Sequence, residues 1–177
     1  EKKFIQKYKD FSNKIFNSKS LSEGEFVRKF EIQFSRFVKS KYAVSVSNGT
    51  AALEVAIKSL RLPKKSEIIV PARSFFSSAS CIVNTGHIPI FTDVNLMTQN
   101  ISLEEIKRKI TKKTKAIICV HLAGLPCDME SIKKFSQKKK IKIIEDCSQA
   151  HGAKYDSKFV GSFGDLSIWS FCNDKIM

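Results

Sequence analysis

Short apolar runs that are typical of β-strands alternate along this chain with segments that have helical character. The strand-like runs cover residues 42–46, 67–70, 88–91, 116–120, 141–144 and 166–171. The segments between them predict helices over residues 25–39, 50–60, 75–84, 103–110 and 129–139. This alternation predicts an α/β domain with a mainly parallel central sheet.

Helix caps and composition support one folded domain. Ser102 is expected to cap the helix over 103–110, with Glu105 completing a capping box, and Asp128 is expected to cap the helix that runs to 139. No internal repeat or linker is visible. We therefore predict an N-terminal segment over 1–20 and a single large domain over 21–177, and the length of 177 residues is sufficient for a core.

The two ends and the cysteines carry further expectations. The sequence begins with Glu and ends with Lys-Ile-Met, which predicts a fragment cut at its C-terminal end. No apolar run approaches the roughly 18 to 20 residues that span a bilayer, so no membrane association is expected. The five cysteines are odd in number and dispersed, which predicts reduced thiols in a cytoplasmic protein.

The formal net charge of +14 raises the possibility of nucleic-acid binding. The lysines, however, lie in short clusters such as 112–113, 133–134 and 138–140, without interleaved aromatic residues for base stacking. This pattern favours a solvated surface over a specific nucleic-acid site. A weaker alternative is that the positive field attracts a substrate carrying a diphosphate.

A glycine turn stands between the first strand-like run and the next helix, in residues 47–53 (SNGTAAL). Gly49 permits a tight turn, and the small residues after it let an anion approach the backbone. The helix would direct its free N–H groups and positive dipole end at a phosphate, and Thr50 adds a hydroxyl donor. Such turns are also common as purely structural features, so this motif alone leaves both interpretations open.

An acid ends another strand-like run, in residues 143–152 (IIEDCSQAHG). Asp146 lies at the edge where open α/β sheets bind ligands, and its carboxylate can pair with a protonated pyridine nitrogen. An aspartate that caps the next helix is the alternative. Gln149 can donate to a ring oxygen, whereas His151 is interpreted as a packed or capping histidine.

Lys175, the third residue from the end, follows the last strand-like run. A lysine amine forms a Schiff base with an aldehyde cofactor and then serves as acid and base. Ser170 can bind the cofactor phosphate from the side opposite the glycine turn. A lone lysine is usually surface charge, so the inference depends on its combination with Gly49 and Asp146.

Together these motifs resemble the DegT/StrS family of sugar-nucleotide aminotransferases, within the fold-type-I pyridoxal-phosphate superfamily. The resembling segments are 47–53, 70–72 (VPA), 120–124 (VHLAG), 145–153 (EDCSQAHGA), 161–165 (GSFGD), 170–171 and Lys175. They cover nearly the whole chain after about residue 20, in order. The resemblance implies a three-layer αβα large domain, followed in the family by a smaller C-terminal domain that this sequence lacks.

The resemblance also implies pyridoxal 5′-phosphate as the cofactor and assigns roles to individual residues. Lys175 would be the catalytic Schiff-base lysine, Asp146 the partner of the pyridine nitrogen, and Gln149 a neighbour of the ring hydroxyl. The phosphate would be bound by Gly49, Thr50, Ala51 and Ser170. No metal is expected.

Two positions near these motifs leave open questions. Phe75 matches the aromatic residue that stacks on the cofactor ring in the family, and its alternative is a core phenylalanine. Ala123 stands where the family usually has an aromatic residue, a difference that would alter the sugar pocket.

The family's active site is shared between the two subunits of a homodimer, and we expect the same here.

The predicted function is transamination, in which an amino acid, by resemblance glutamate, supplies the amino group for a keto sugar linked to a nucleoside diphosphate. A sugar dehydratase of the same superfamily is an alternative, but it would carry His at the position of Lys175. A second alternative is an inactive or regulatory relative of the same fold. A nucleotide-binding dehydrogenase would require a G-x-G-x-x-G turn, and residues 47–53 contain one glycine.

Overall fold

A computed structural model describes residues 2–18 and 20–175 of the chain. The chain forms two compact units, Glu1–Ser45 and Val46–Met177. The sequence predicts a domain boundary after residue 20, and this boundary stays a prediction. Among the described residues, no helix combines the length and the apolar character needed to cross a membrane.

The first unit contains two helices, α1 (Lys2–Phe16) and α2 (Glu25–Phe37). The rings of Phe11 and Phe26 meet edge to face, with their centroids 5.2 Å apart. The predicted helix over 25–39 is confirmed, although it ends two residues early. Lys39 adopts a left-handed φ of 56°, which is incompatible with a further helical turn.

The strand predicted over residues 42–46 is wrong. These residues join no sheet in the described part of the chain. Tyr42 and Val44 are 74% and 78% exposed, and the N–H of Ser45 donates to the Glu31 carboxylate at 2.7 Å. An apolar run indicates that a segment is able to pair, but a strand forms only where a partner strand is present.

The second unit is built on a sheet of five strands, β1 (Glu67–Pro71), β2 (Ile88–Thr92), β3 (Thr114–Val120), β4 (Lys142–Asp146) and β7 (Leu166–Ile168). Their order across the sheet is β2-β1-β3-β4-β7, and β5 (Lys154–Tyr155) and β6 (Lys158–Phe159) form a separate hairpin. Every pairing in this sheet is parallel, which confirms the predicted mainly parallel sheet. The last strand is three residues shorter than the predicted 166–171, so Ser170 lies in the loop that follows β7.

Four helices cover the two faces of this sheet and complete three layers. They are α3 (Gly49–Ser59), α4 (Ser77–Asn84), α5 (Leu103–Lys109) and α6 (Met129–Lys139). Leu53 and Ile82 of the first pair share a buried cluster with Ile68, whereas Ile132 of the second pair clusters with Ile69. Because neighbouring strand residues point to opposite faces, one strand contributes to both cores.

The helix ends agree with the sequence at two caps. Ser102 Oγ accepts a hydrogen bond from the Glu105 N–H at 3.3 Å, and Asp128 Oδ1 accepts one from the Ser131 N–H at 3.2 Å. Helix α4 begins at Ser77, two residues later than predicted. Each observed cap satisfies an N–H group that has no partner within its helix.

A short antiparallel hairpin was not predicted. It consists of β5 (Lys154–Tyr155) and β6 (Lys158–Phe159), joined by two residues. Asp156 and Ser157 both have a positive φ, 45° and 64°, the conformation that suits a two-residue hairpin turn. The two strands are too short and too polar to show an alternating apolar pattern.

Candidate active site

The predicted site residues meet at the carboxyl edge of the parallel sheet. Asp146 is the last residue of β4 and pairs with Ile168, the last residue of β7. The turn before α3 reaches the same edge, because a Cβ atom added at Gly49 would lie 3.3 Å from Ser170 Cβ and 3.8 Å from Ser148 Oγ. Open α/β sheets bind their ligands at this edge.

The start of α3 offers free donors to an anion. Asn48 Oδ1 caps the helix by accepting a hydrogen bond from the Ala51 N–H at 2.9 Å. Among the described residues, no acceptor takes the N–H of Gly49 or of Thr50. These two N–H groups remain available to a phosphate, whereas the N–H of Ala51 is already bonded, so the phosphate contact predicted for Ala51 stays a prediction.

Ser170 stands directly against this helix start. The absence of a side chain at Gly49 matters here, because a Cβ atom at 3.3 Å from Ser170 Cβ would be in tighter contact than packed carbon atoms prefer. The Ser170 Oγ accepts only a long hydrogen bond, 3.5 Å, from the Cys172 N–H. A hydroxyl and two free N–H groups thus lie together, a donor set that fits a phosphate group.

Asp146 is a buried carboxylate with few donors. It is 6% exposed, its Oδ1 accepts from the Ser148 N–H at 3.1 Å, and its Oδ2 accepts from Ser78 Oγ at 3.3 Å. Ser78 Oγ in turn lies 2.7 Å from Ser74 Oγ. Burial raises the pKa of Asp146 despite the hydrogen bonds from Ser148 and Ser78. A cationic ring nitrogen beside the carboxylate would reverse that effect.

The side chain of Gln149 has a defined orientation. Its Oε1 accepts a hydrogen bond from the Ala123 N–H at 2.8 Å, and this donor identifies the oxygen end of the amide. The amide NH₂ group is therefore the end left to donate. The prediction that Gln149 donates to a ring hydroxyl is compatible with this orientation.

Asn100 holds the turn that orients Gln149, a role that sequence reasoning missed. It is 3% exposed, its Nδ2 donates to the Leu125 carbonyl at 2.8 Å, and its Oδ1 accepts from the Leu122 N–H at 3.1 Å. Ala123, between these residues, has a φ of 50°. A single asparagine 22 residues before the turn carries no motif by which the sequence would reveal this contact.

Glu145, next to Asp146, is a second site residue to which no role was assigned from the sequence. The side chain is fully buried and accepts four hydrogen bonds. Its Oε1 accepts from the N–H groups of Phe163 at 2.8 Å and Gly164 at 2.6 Å. Its Oε2 accepts from the Gly161 N–H at 2.8 Å and lies 3.1 Å from His121 Nε2. This carboxylate ties the loop before β7 to the end of β4.

The neighbouring histidine is neutral by its hydrogen bonds. The Cys127 N–H donates to His121 Nδ1 at 3.1 Å, so the ring proton is on Nε2 and donates to Glu145. Burial raises the pKa of Glu145, but the hydrogen bonds from His121 and from the N–H groups of Gly164 and Gly161 outweigh it and hold the pKa below its usual value.

His121, Glu145 and Cys147 bring possible ligand atoms within 4.8 Å of one another. A metal ion does not fit this group, because both glutamate oxygens and both histidine nitrogens already take part in hydrogen bonds. Burial also raises the pKa of the Cys147 thiol well above its usual value, and a metal would require the thiolate.

Phe75 lies in the loop between β1 and α4. It is 60% exposed, and its ring centroid lies 5.1 Å from that of Phe76, which is 70% exposed. The alternative of a core phenylalanine is therefore wrong. Stacking on a cofactor ring stays a prediction for this accessible side chain.

Lys175 is the last residue that the structure describes. Its N–H donates to the Cys172 carbonyl at 3.0 Å, and its Nζ pairs with the Asp174 carboxylate at 3.2 Å. The structure does not bring this ammonium group into contact with Asp146, so its bond to the cofactor stays a prediction.

His151 packs edge to face between Trp169 and Phe171, which agrees with a packed histidine.

Comparison with known proteins decides the family. The sequence matches the DegT/DnrJ/EryC1/StrS aminotransferase family over residues 4–177. The chain belongs to this family. It is 43% identical to a GDP-perosamine synthase of Escherichia coli O157:H7 over 96% of this chain and 47% of that protein. It is 40% identical to a dTDP-3-amino-3,6-dideoxy-alpha-D-galactopyranose transaminase of Aneurinibacillus thermoaerophilus, over 90% of this chain and 44% of that protein.

Solved structures of aminotransferases share the fold of this family member. An aminotransferase from Psychrobacter cryohalolentis superposes with a TM-score of 0.85 at 49% identity, over 87% of this chain and 39% of that one. A protein of Streptococcus pneumoniae, solved in its PLP form, superposes with a TM-score of 0.87 at 28% identity, over 92% and 45% of the two chains. These matches indicate pyridoxal phosphate as the cofactor. The chain spans less than half the length of each of these relatives.

Proposed function

We propose that this chain forms the cofactor-binding part of an aminotransferase that aminates a keto sugar linked to a nucleoside diphosphate. The observation that carries the proposal is the buried carboxylate of Asp146 at the carboxyl edge of the sheet, beside the donors at Gly49, Thr50 and Ser170. The amino acid that supplies the amino group is proposed to be glutamate. Support comes from relatives named for GDP-linked and dTDP-linked amino sugars.

Pyridoxal phosphate, when bound, supplies an aldehyde that condenses with amines and a ring that accepts the electron pair of a broken bond. The residues of this chain hold and tune it. Gly49 and Thr50 would bind its phosphate through their N–H groups, Ala51 would lie beside them in the same helical turn, and Ser170 would donate its hydroxyl. The phosphate thereby fixes the position of the ring.

Three side chains are assigned to the ring. Asp146 would accept the hydrogen bond of the protonated ring nitrogen and keep that proton in place, because its carboxylate has only two protein donors. Gln149 would donate from its NH₂ group to the ring hydroxyl. Phe75, which is exposed at the same edge, would cover one ring face and exclude water.

Lys175 is proposed to bind the cofactor covalently and then to move the proton at the reacting carbon of the substrate. A free lysine amine can accept a proton as a base and, once protonated, return it as an acid. The loop from Ser170 to Lys175 follows β7 without secondary structure, so it can adjust when the lysine changes partners.

The test uses the full-length protein loaded with pyridoxal phosphate. We expect a visible absorption band and, after borohydride reduction, a cofactor-labelled peptide that contains Lys175. Lys175→Ala should lose both, and Lys158→Ala, which removes an exposed lysine of the β5–β6 hairpin, should retain both. A band and a label that survive in Lys175→Ala would refute the assignment.

The second candidate is a regulatory protein of the same fold. It is favoured by one relative, a pleiotropic regulatory protein of Geobacillus stearothermophilus that is 34% identical over 92% of this chain. Cofactor binding without turnover of a keto sugar and glutamate would support it. A sugar dehydratase is the remaining alternative, because a GDP-4-keto-6-deoxymannose-3-dehydratase superposes with a TM-score of 0.79. Lys175 disfavours the dehydratase.

We also propose that the protein acts as a homodimer in the cytoplasm. Apolar side chains on the α3–α4 side of the sheet are exposed, which is typical of a surface that a partner covers: Val55 51%, Phe76 70% and Val83 59%. The proposed compartment follows from the number and spacing of the cysteines, which are odd in number and dispersed along the sequence. Light scattering of the purified full-length protein measures the dimer.

A further inference from the structure

A cleft lies at the amino-terminal edge of the sheet, on the opposite side from the candidate active site. The last turns of α6, the first residues of β4 and the loop before β7 enclose a volume of about 320 Å³. Lys142 begins β4 and Asp146 ends it. At roughly 3.3 Å per residue, the strand places the two sites about 13 Å apart.

The charges that line this cleft are mostly positive. Lys133, Lys140 and Lys142 supply three ammonium groups, and Asp165 is the one carboxylate among the lining residues. Asp165 is already bonded, because it pairs with Lys142 at 2.6 Å and accepts the Ile143 N–H at 2.9 Å. Within the described residues, Lys133 and Lys140 take part in no ion pair, so the cleft carries an excess of unpaired positive charge.

A buried hydroxyl without a partner also lines the cleft. Ser136 is 1% exposed, and its Oγ forms no hydrogen bond among the described residues. An unpaired buried hydroxyl is unfavourable unless a ligand completes it. The carbonyls of Ser136 and Gln137 accept hydrogen bonds from the N–H groups of Ile141 and Lys140, at 2.9 and 3.1 Å, so these two acceptors already have donors.

We propose that this cleft binds the phosphate groups of a small molecule, at a site separate from the cofactor. Two unpaired ammonium groups and a free hydroxyl are donors, and phosphate oxygens are acceptors that carry the opposite charge. A cation would be repelled by the lysines. The volume admits inorganic diphosphate or a nucleoside diphosphate, and these two sources share the chemistry that the cleft recognises.

The test is a calorimetric titration of the full-length protein at low ionic strength, after pyridoxal phosphate has occupied the phosphate position near Gly49. Sodium pyrophosphate and ADP are the two probes. We expect saturable binding of both, with one equivalent per chain at the cleft in addition to any that occupies the position of the proposed substrate's diphosphate, and the paired lysine variants identify the equivalent that belongs to the cleft. Binding of ADP that is about tenfold tighter would identify a nucleotide as the ligand, and equal affinities would identify the diphosphate group alone.

Two pairs of lysine variants, in α6 and at its C-terminal end, distinguish binding in the cleft from attraction by the overall positive charge of the protein. Lys133→Ala with Lys140→Ala should weaken binding about tenfold or more. The control, Lys138→Ala with Lys139→Ala, removes the same charge from residues that do not line the cleft and should change affinity less than about twofold. Equal losses in both pairs, or no saturable binding by the unaltered protein, would overturn the proposal.

Ser136→Ala gives a second, independent measurement. Because Ser136 Oγ has no protein partner, its removal should leave the melting temperature unchanged or raise it. Affinity for pyrophosphate should nevertheless fall about threefold, because the ligand loses a hydroxyl donor. Unchanged affinity in this variant, measured together with an unchanged circular dichroism spectrum, would contradict a role for the hydroxyl.

Discussion

At the scale of single residues, the two acids that end β4 differ in how their charge is stabilised. Asp146 is buried with two donors, and burial raises its pKa. Glu145 is buried as well, yet hydrogen bonds from His121, Gly164 and Gly161 hold its pKa below the usual value. The two acids differ in their number of donors, because Glu145 accepts four hydrogen bonds and Asp146 accepts two. Asp146 is therefore prepared for a positive ligand, whereas the hydrogen bonds of Glu145 are already complete.

This difference predicts opposite pH dependences in the cofactor-free chain. For Asp146, whose pKa is raised on folding, the stabilising contribution is present at low pH and is lost as the pH rises through the raised pKa. For Glu145, whose pKa is lowered on folding, the contribution is present above its unfolded pKa, near 4.5, and is lost as the pH falls through the lowered pKa. Asp146→Asn should thus gain stability relative to the unaltered chain as the pH rises.

The free energy of unfolding of both variants is measured with urea at several pH values between about 3.5 and 8, a range that runs from below the ordinary pKa of a carboxyl group to neutral pH. Glu145→Gln should be less stable than the unaltered chain by roughly 3 kcal/mol at neutral pH, because an amide cannot accept from all four donors. That gap should narrow in acid. Glu130→Gln, at an exposed position of α6, is the control. Parallel pH trends for Asp146→Asn and Glu145→Gln would contradict the assigned pKa directions.

At the scale of elements, the start of α3 and the loop after β7 fit together only because residue 49 has no side chain. Gly49→Ala should displace Ser170 by a few tenths of an ångström, since the new Cβ atom would lie 3.3 Å from Ser170 Cβ. Pyridoxal phosphate should bind about tenfold more weakly, measured by fluorescence titration of the full-length protein.

A double variant tests whether the contact between residues 49 and 170 causes the weaker binding of the cofactor. Gly49→Ala with Ser170→Gly removes the clashing Cβ atom and should bind the cofactor no more weakly than Ser170→Gly alone. Ala52→Gly, in the same helix, is the control for a change in helix propensity. If the two substitutions at 49 and 170 weaken binding additively, the contact is not the cause.

The sequence predicts the strands of the sheet well where a short run is apolar. The strands between residues 67 and 146 appear within two residues of their expected bounds. β1, β3 and β4 are largely buried and apolar, as is typical of a parallel sheet covered by helices, whereas β2 is an apolar edge strand that is partly exposed. Residues 42–46 have the same composition but pair with no strand in the described chain. Pairing depends on a partner elsewhere in the chain, which local composition does not report.

The residues of the candidate site likewise fall into those that the sequence reveals and those that it does not. Gly49, Asp146 and Ser170 could be proposed from the sequence because each stands at a turn or a strand end, where ligands bind in this class of fold. Ser78 and Asn100 could not, because each is a single polar residue whose partners come from distant segments. Hydrogen-bond partners of that kind become visible only when the chain has folded.

At the scale of the whole molecule, the thiols separate the core from the surface. Cys81, Cys119, Cys127 and Cys147 are buried, and Cys172 is exposed in the loop that carries Lys175. Burial raises the pKa of Cys81 and of Cys127 to about 12. Buried thiols are protonated and inaccessible, and they react slowly with alkylating reagents.

Brief treatment of the full-length protein with iodoacetamide at pH 8 should therefore label Cys172 ahead of the other four cysteines. Peptide mass spectrometry gives the extent at each position, and the same treatment in urea provides the comparison in which all five react. Loaded pyridoxal phosphate should slow the labelling of Cys172 if the loop closes over the cofactor. Early labelling of Cys119 or Cys147 would be inconsistent with the observed core.

Glu145 and Asp146 face opposite sides of the sheet, and this arrangement limits how β4 can change in evolution. The two side chains point to opposite layers, one toward the loop before β7 and the other toward Ser78 of α4. Insertion or deletion of one residue within β4 would exchange the layers that the two acids face. The aspartate would then meet a set of donors spaced for a longer side chain, and the cofactor pocket would receive the glutamate. Length variation is therefore expected in the loops around β4 and not within it.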